Sequence, residues 1–401
     1  MQSTEKPQNN NEEEPLDDGA NVENGSCQTG SSKHHRSWWR PFVETVIASV
    51  LLIGWLETFF NFAGIGQQEF LEPDPVIGSR HIASKQVTWR LEGLSRDSLN
   101  AYGMRDFPRE LKKPISTLRI AVLGDSAVEG LQVPLEETFP ADLERMLNRE
   151  FASGKGKFQK AEVLNFGCAG YSTAQELVQY ETLVSKFAPD VVVLFYNHRD
   201  AQESVILETI KNVAEVKPYA YLDKEGQINI DNSVVTAHAE ELKPSPVLDW
   251  LRRNSRIYGV INQTTFALNV NDKRFVKVKH WWTKAQKDFA PKNLEISNLG
   301  YGVQDADAVG GKLIEKLNSI LKAKGSRLVL VMFPNLVPYK ELTSQEEQFR
   351  KLSQREGFSH LDLTPAFKKY PRPQDLIIQY HFSKKGHQLI ADSIAPLLAE
   401  Q

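Results

Sequence analysis

Cysteine is nearly missing from this chain: Cys27 and Cys168 are the two in 401 residues, with no Cys-x-x-Cys pair and no Cys/His ligand spacing. That argues against a disulfide-stapled scaffold and against a structural zinc centre. An excess of charge is missing too. Lys and Arg number 48 against 51 Asp and Glu, a formal net charge of −3, so no electrostatic footprint for nucleic acid is present. Gly124 and Gly130 are not followed by the Lys and Ser/Thr that a phosphate-cradling loop requires. No sequence repeat is visible. Neither a metal nor an organic cofactor is expected, and with 41% hydrophobic and 25% charged residues the chain is of ordinary globular type.

What is present begins with a polar tail. Residues 1–32 are rich in Asn, Gln, Glu, Gly and Ser, too poor in apolar side chains to offset the entropy of ordering. A basic patch with Lys33, Arg36, Arg40 and two tryptophans completes the tail, residues 1–41; its His34-His35 pair reads as solvated juxtamembrane surface rather than a metal site. From 42 to 64 runs an apolar stretch long enough to cross roughly 30 Å of hydrocarbon. Glu44 and Glu57 lie toward its ends, where a carboxylate reaches the interface. Cations precede this segment, and the first charges after it are Glu69, Glu72 and Asp74. The expected topology is therefore a single-pass anchor with a cytoplasmic N-terminus and an exported, periplasmic or extracytoplasmic body.

Residues 65–115, with Pro73, Pro75, Pro108 and Pro114 and little periodicity, read as a stalk or linker. The body occupies 116–401. Its apolar, β-branched runs at 120–123, 162–166, 191–196 and 327–333 alternate with helical spacing after Pro134, at 173–187, at 313–321, near 344–355 and from 383 to 399, with a short strand expected at 359–363. Thr173 with Glu176 fits a capping box. Such alternation means a parallel sheet covered on both faces. Residues 201–300 interrupt it as an insertion that includes a basic stretch with Trp281-Trp282, a pair suited to ring stacking or to ordinary packing.

Chemistry concentrates where strands surface. The run 120–123 breaks into Gly124-Asp125-Ser126, placing a hydroxyl at a strand exit, where the open edge of a parallel sheet gathers groups from several strands. Gly170, the loop Asn197-His198-Arg199-Asp200, and His381 before the last helix fall at matching places. A hydroxyl, an imidazole to take its proton and donors for an oxyanion are the parts that acyl transfer to serine needs. Ser126 is the candidate nucleophile, His381 the base, and the Ser126 and Gly170 amides candidate donors. His387, inside the helix, reads as structural, and Asp125 as a turn-holding side chain.

Taken in order, Gly124-Asp125-Ser126 with Gly130, then Asn165 through Gly170, then His381 with Gly386 resemble the blocks of the SGNH (GDSL-like) hydrolases. The anchor and residues 100–106 are similar to membrane-tethered bacterial members. The resemblance covers roughly residues 116–400 and implies a flavodoxin-like three-layer αβα fold with metal-free serine ester hydrolysis. Two positions depart from it. Where the family has an oxyanion asparagine this chain has Arg199, so Arg199 donates, or Asn197 moves in, or that donor is lost. Where the family has an acid two or three residues before the histidine, this chain has Ile378 and Gln379; Asp375 is the nearest acid and the candidate third member, with Asp362 at a strand end. The expected activity is hydrolysis of small O-acyl esters of envelope carbohydrate. A catalytically degenerate module that binds glycan or assists envelope assembly, and an O-acyltransferase, stay open as alternatives.

Overall fold

The computed structural model describes residues 39–66, 68–154, 157–205, 216–238, 245–271, 304–335 and 340–399. His34, His35, Cys27 and the Trp281-Trp282 pair lie outside them. The chain divides into two compact units, Met1–Ile53 and Gly54–Gln401. Helix α1, Arg40–Ala63, runs from the first into the second, and none of its residues is buried. At 1.5 Å per residue its 24 residues extend about 36 Å. It is long and apolar enough to cross a membrane.

Two antiparallel hairpins follow, β1 (Leu71–Asp74) with β2 (Gly78–His81) and β3 (Gln86–Trp89) with β4 (Ser95–Ser98). The expected linker is therefore part of the second unit. Arg105 shows why, since it is fully buried and donates to the carbonyls of Glu129, Gly130 and Val133 at 2.6–2.9 Å while pairing with Asp97. Residues 100–106 thus fasten β4 to the segment that follows Ser126. Proline and the shortness of the strands hide this from periodicity.

The central sheet holds β5 (Thr117–Leu123), β6 (Lys160–Asn165), β7 (Val191–Tyr196), β10 (Arg327–Met332) and β11 (Ser359–Asp362), all parallel, in the order β11-β10-β7-β5-β6. A short hairpin, β8 (Tyr219–Leu222) with β9 (Ile228–Asp231), stands apart from it. Every residue of β5 and β7 is buried, as the apolar runs 120–123 and 191–196 require when both faces are covered, and Arg119 of β5 is buried with Glu162 as its partner. Alternate residues go to opposite faces. Ala121, Leu123, Val192, Leu194, Leu328 and Leu330 join one core with Leu177 of α4 (Thr173–Thr182) and Leu313 and Leu317 of the helix Ala306–Ala323. Ile120, Val122, Val191, Val193, Val329 and Val331 join the other with Leu143 and Leu147 of α3 (Phe139–Phe151) and Ile390 and Ile394 of the last helix, Lys384–Ala399. Truncating any of these leucines or isoleucines to alanine costs about 2–5 kcal/mol.

Numbered along the sheet's own strands, the order is 2-1-3-4-5, the flavodoxin-like doubly wound arrangement, whose ligand crevice lies where connections from the first and third strands diverge. Those strands are β5 and β7. Ser126 follows the one and Asn197 the other. One local difference from the sequence reading concerns α4: its N-cap is Ser172, whose amide donates to Gln175 Oε1 at 3.3 Å, and Glu176 turns inward instead of capping.

Candidate active site

The turn that presents Ser126 leaves no freedom at its first position. A Cβ on Gly124 would meet Val128 Cγ2 at 2.3 Å, so only glycine lets β5 turn so tightly. Asp125 holds the turn as a cap, its Oδ1 accepting the Ala127 N–H at 2.9 Å, and Ser126 opens the short helix α2, Ser126–Glu129. From below, buried His81 lies between Gly103 O (2.9 Å from Nδ1) and Glu129 Oε1 (2.7 Å from Nε2). Both ring nitrogens face acceptors. Burial opposes the charge, yet Cys168 and Glu129 raise the imidazole well above its usual value, and α2 rests on the buried, hydrogen-bonded His81–Glu129 pair.

His381 comes to Ser126 from the other end of the chain. Phe382, fully buried, stacks on Phe333 and meets Phe195 and Phe367; Gln379 takes a left-handed φ of 53° in the turn before it. Between these two constraints His381 Nε2 lies 2.8 Å from Ser126 Oγ. Its Nδ1 is hydrogen-bonded to Glu92 Oε2. A carboxylate at Nδ1 requires the proton there, which leaves Nε2 free to accept from the hydroxyl. Sequence reading did not find Glu92. It sits in the β3–β4 turn, 289 positions from its histidine. The turn is pressed so closely onto Gln132 that a Cβ on Gly93 would stand 2.1 Å from Gln132 O. Gln132 Nε2 in turn donates to Phe382 O at 3.1 Å, tying turn and histidine to one residue. The Glu92-Gly93 pair is the one local signal.

Asp375 does not occupy the place expected of it. Its carboxylate pairs with Lys385 and Arg372, each at 2.9 Å, and Lys385 foremost holds it below the usual carboxylate range. Asp362 accepts the Thr364 N–H at 2.8 Å, in the turn that enters the helix Thr364–Lys369. His387 is buried, accepts the Phe139 N–H at 3.2 Å and is pushed down by burial to about 3, so it is a neutral core residue.

On the opposite side of Ser126 the loop after β6 is tied to the nucleophile turn by Cys168 N–H to Gly124 O, 3.1 Å, and a Cβ on Gly167 would meet Glu129 N at 2.3 Å. Gly170 ends this loop with φ +78° and open space around its Cβ position. After β7, Asn197 is buried and donates from Nδ2 to Asp125 Oδ2 at 3.3 Å. Arg199 points elsewhere: its side chain is 63% exposed and faces Glu203 at 3.7 Å. Of the two, Asn197 is the residue beside the nucleophile turn. Asp200 accepts the Asn197 N–H at 2.8 Å and fixes that loop. Burial raises the carboxyls of Asp200 and Glu176 well above their usual range, and each is raised further by the other carboxylates around them. Neither Glu176 oxygen has a partner among the described residues.

No family model and no curated protein matches this chain. Among solved structures it is similar to an acetyl-xylooligosaccharide esterase variant from Geobacillus Stearmophilus, at 10% identity over 72% of this chain and 98% of that one, TM-score 0.39. It is similar too to a GDSL-like lipase from Bacteroides thetaiotaomicron, at 10% identity over 70% and 87%, TM-score 0.33. A third, a lipolytic protein of the G-D-S-L family from Desulfitobacterium hafniense, gives 10% over 70% and 99%, TM-score 0.38. Likeness at this level adds nothing to the strand order and the side-chain geometry, which stand by themselves.

Proposed function

We propose that this protein is a serine ester hydrolase of the SGNH type, anchored by α1, with its body exported and acting on small O-acyl esters of envelope carbohydrate. The observation that carries the reading is the unbroken chain from Ser126 Oγ through His381 to Glu92. His381 takes the hydroxyl proton as the oxygen attacks the acyl carbon, and returns it to the departing alcohol; a water, activated in the same way, then releases the acid. Glu92 keeps the ring oriented and offsets its charge while it holds the proton. The amides of Ser126 and Gly170 and the Asn197 side chain are the donors for the oxyanion, each worth about 3 kcal/mol in the transition state. Transfer to a sugar hydroxyl in place of water needs no change in these groups. Support comes from Asn197 beside the nucleophile turn and Glu92 behind the histidine, the two kinds of group that the degenerate-module alternative would lack.

The test uses the full chain in detergent with short-chain aryl esters and a fluorophosphonate probe. Hydrolysis and stoichiometric labelling, both abolished by Ser126→Ala, are expected. Hydrolysis unchanged in that variant would refute the assignment. Equal turnover of aryl esters and of acetylated oligosaccharides would remove the carbohydrate preference.

A further inference from the structure

The foot of α1 is ringed by cations. Arg90 Nη2 donates to Ala63 O at 2.6 Å and Arg256 Nη1 to Gly66 O at 2.7 Å. Arg96 stands in register with Thr88, whose methyl lies as close to Gly64 as Arg90 does: a Cβ there would be 3.3 Å from both. Lys85 Nζ donates to Arg253 O. Nearby Arg252 and Arg253 are neutralised by Glu69, Glu72 and Asp249. Among the described residues Lys85, Arg90, Arg96 and Arg256 have no such ion pair. Glu57 is at hand, but its two oxygens accept the N–H groups of Arg256 and Ile257 at 2.6 and 2.9 Å.

Four positive charges therefore face one carboxylate and the roughly half negative charge of a helix C-terminus. Arg256 is 3% exposed, and its Nε is buried without a partner among the described residues. Burial first, then Arg96 and Arg90, disfavour its charge; burial, Arg256 and Arg253 do the same to Lys85. The cluster carries excess positive charge that an anion would offset. The surroundings are apolar: Phe59 and Phe62 are exposed on the last turns of α1, and in the turn that holds Glu92 Leu91 and Leu94 are 58% and 61% exposed. Cations beside exposed aromatic and aliphatic groups at the end of a spanning helix match the chemistry of a bilayer's headgroup layer.

We propose that Lys85, Arg90 and Arg96 bind the headgroup of an anionic phospholipid in the bilayer that α1 enters, with buried Arg256 adding its charge from behind them, docking the Glu92 turn on the membrane surface. This rests on the reading of α1 as a membrane span. Leu91 and Leu94 enter the interfacial layer beside the bound headgroup, and the lipid phosphate neutralises guanidinium groups that otherwise repel one another.

The full chain in neutral detergent is titrated with dioleoylphosphatidylglycerol, with dioleoylphosphatidylcholine and with inorganic phosphate, and bound lipid is counted by native mass spectrometry. Saturable binding of the phosphatidylglycerol, at least tenfold preferred over the phosphatidylcholine and untouched by millimolar phosphate, is expected. Arg96→Gln, on an exposed strand position, weakens it about fivefold, Arg96→Lys restores most of it, and Arg252→Gln leaves it unchanged. No preference for the anionic lipid, equal binding in Arg96→Gln, or competition by free phosphate overturns the proposal. Carbonate extraction of membranes separates the two layers of the argument. A chain released to the supernatant sinks the spanning reading and the proposal with it, whereas a retained chain with no lipid preference sinks the headgroup site alone. Binding is read without turnover, so the esterase reading is tested independently.

Discussion

The sheet and the hairpins before it contribute to the same relay on different physical terms. Ser126 and Asn197 leave buried parallel strands whose positions are fixed from both faces by apolar side chains, as in β5 and β7. Glu92 sits in the turn of a hairpin with strands of four residues each, held by a handful of directed contacts: Gly93 on Gln132, Ser95 Oγ on Leu131 O at 2.6 Å, and Arg105 on Asp97 and three carbonyls. A sheet tolerates the loss of one methyl group, because many contacts share the work. A hairpin fastened by a buried guanidinium does not. The difference teaches that precision at the histidine depends on the least redundant part of the body.

Breaking the sheet's own contribution gives the largest effect. Ser126→Ala and His381→Ala should each lower kcat on an aryl ester by roughly 10⁵-fold or more, with melting temperatures near that of the unaltered chain. Asn197→Ala comes next, at about 10²–10³-fold in kcat, whereas Arg199→Ala should stay within a factor of about two; the reverse order would put Arg199 in the oxyanion site. On the hairpin side, Arg105→Ala leaves three carbonyls and Asp97 without their donor and should remove about 3–5 kcal/mol of stability, read as a fall in urea midpoint. A loss under 1 kcal/mol would mean the hairpins are not fastened as described.

The smallest effect is expected at Glu176. Glu176 is raised by burial and then by Asp125, so the folded chain keeps a proton that the unfolded chain gives up above about pH 4. The folded state then binds more protons, and stability falls as pH rises from that point towards the raised value. Glu176→Gln should therefore raise the melting temperature by a few degrees at pH 8 and by almost nothing at pH 4. A gain independent of pH would contradict a protonated, unpartnered carboxyl.

Much of the sheet was legible because 120–123 of β5, the whole of β7 and 328–332 of β10 write their burial as apolar runs, and the strand-to-turn transition at Gly124 placed Ser126 at an edge. His381 was legible from its place before the last helix. Asn197 and Arg199 were not separable, since two residues of one loop differ in side-chain direction, and direction follows from Asp125 and Glu203 rather than from spacing. Glu92 was hidden more deeply. Its hairpin has strands too short to show alternation, and its partner lies at the far end of the chain, so the nearest acid in sequence, Asp375, drew the assignment although Lys385 and Arg372 already hold it.

The central claim is that the orienting carboxylate comes from the hairpin. It is tested most directly by kcat/KM of Glu92→Gln and Asp375→Asn, measured side by side on p-nitrophenyl acetate with melting temperatures recorded for both. Glu92→Gln should fall by about 10³–10⁴-fold at unchanged melting temperature, and Asp375→Asn should change by no more than about twofold. A Glu92→Gln enzyme that works at the full rate, with the loss appearing in Asp375→Asn instead, would contradict it.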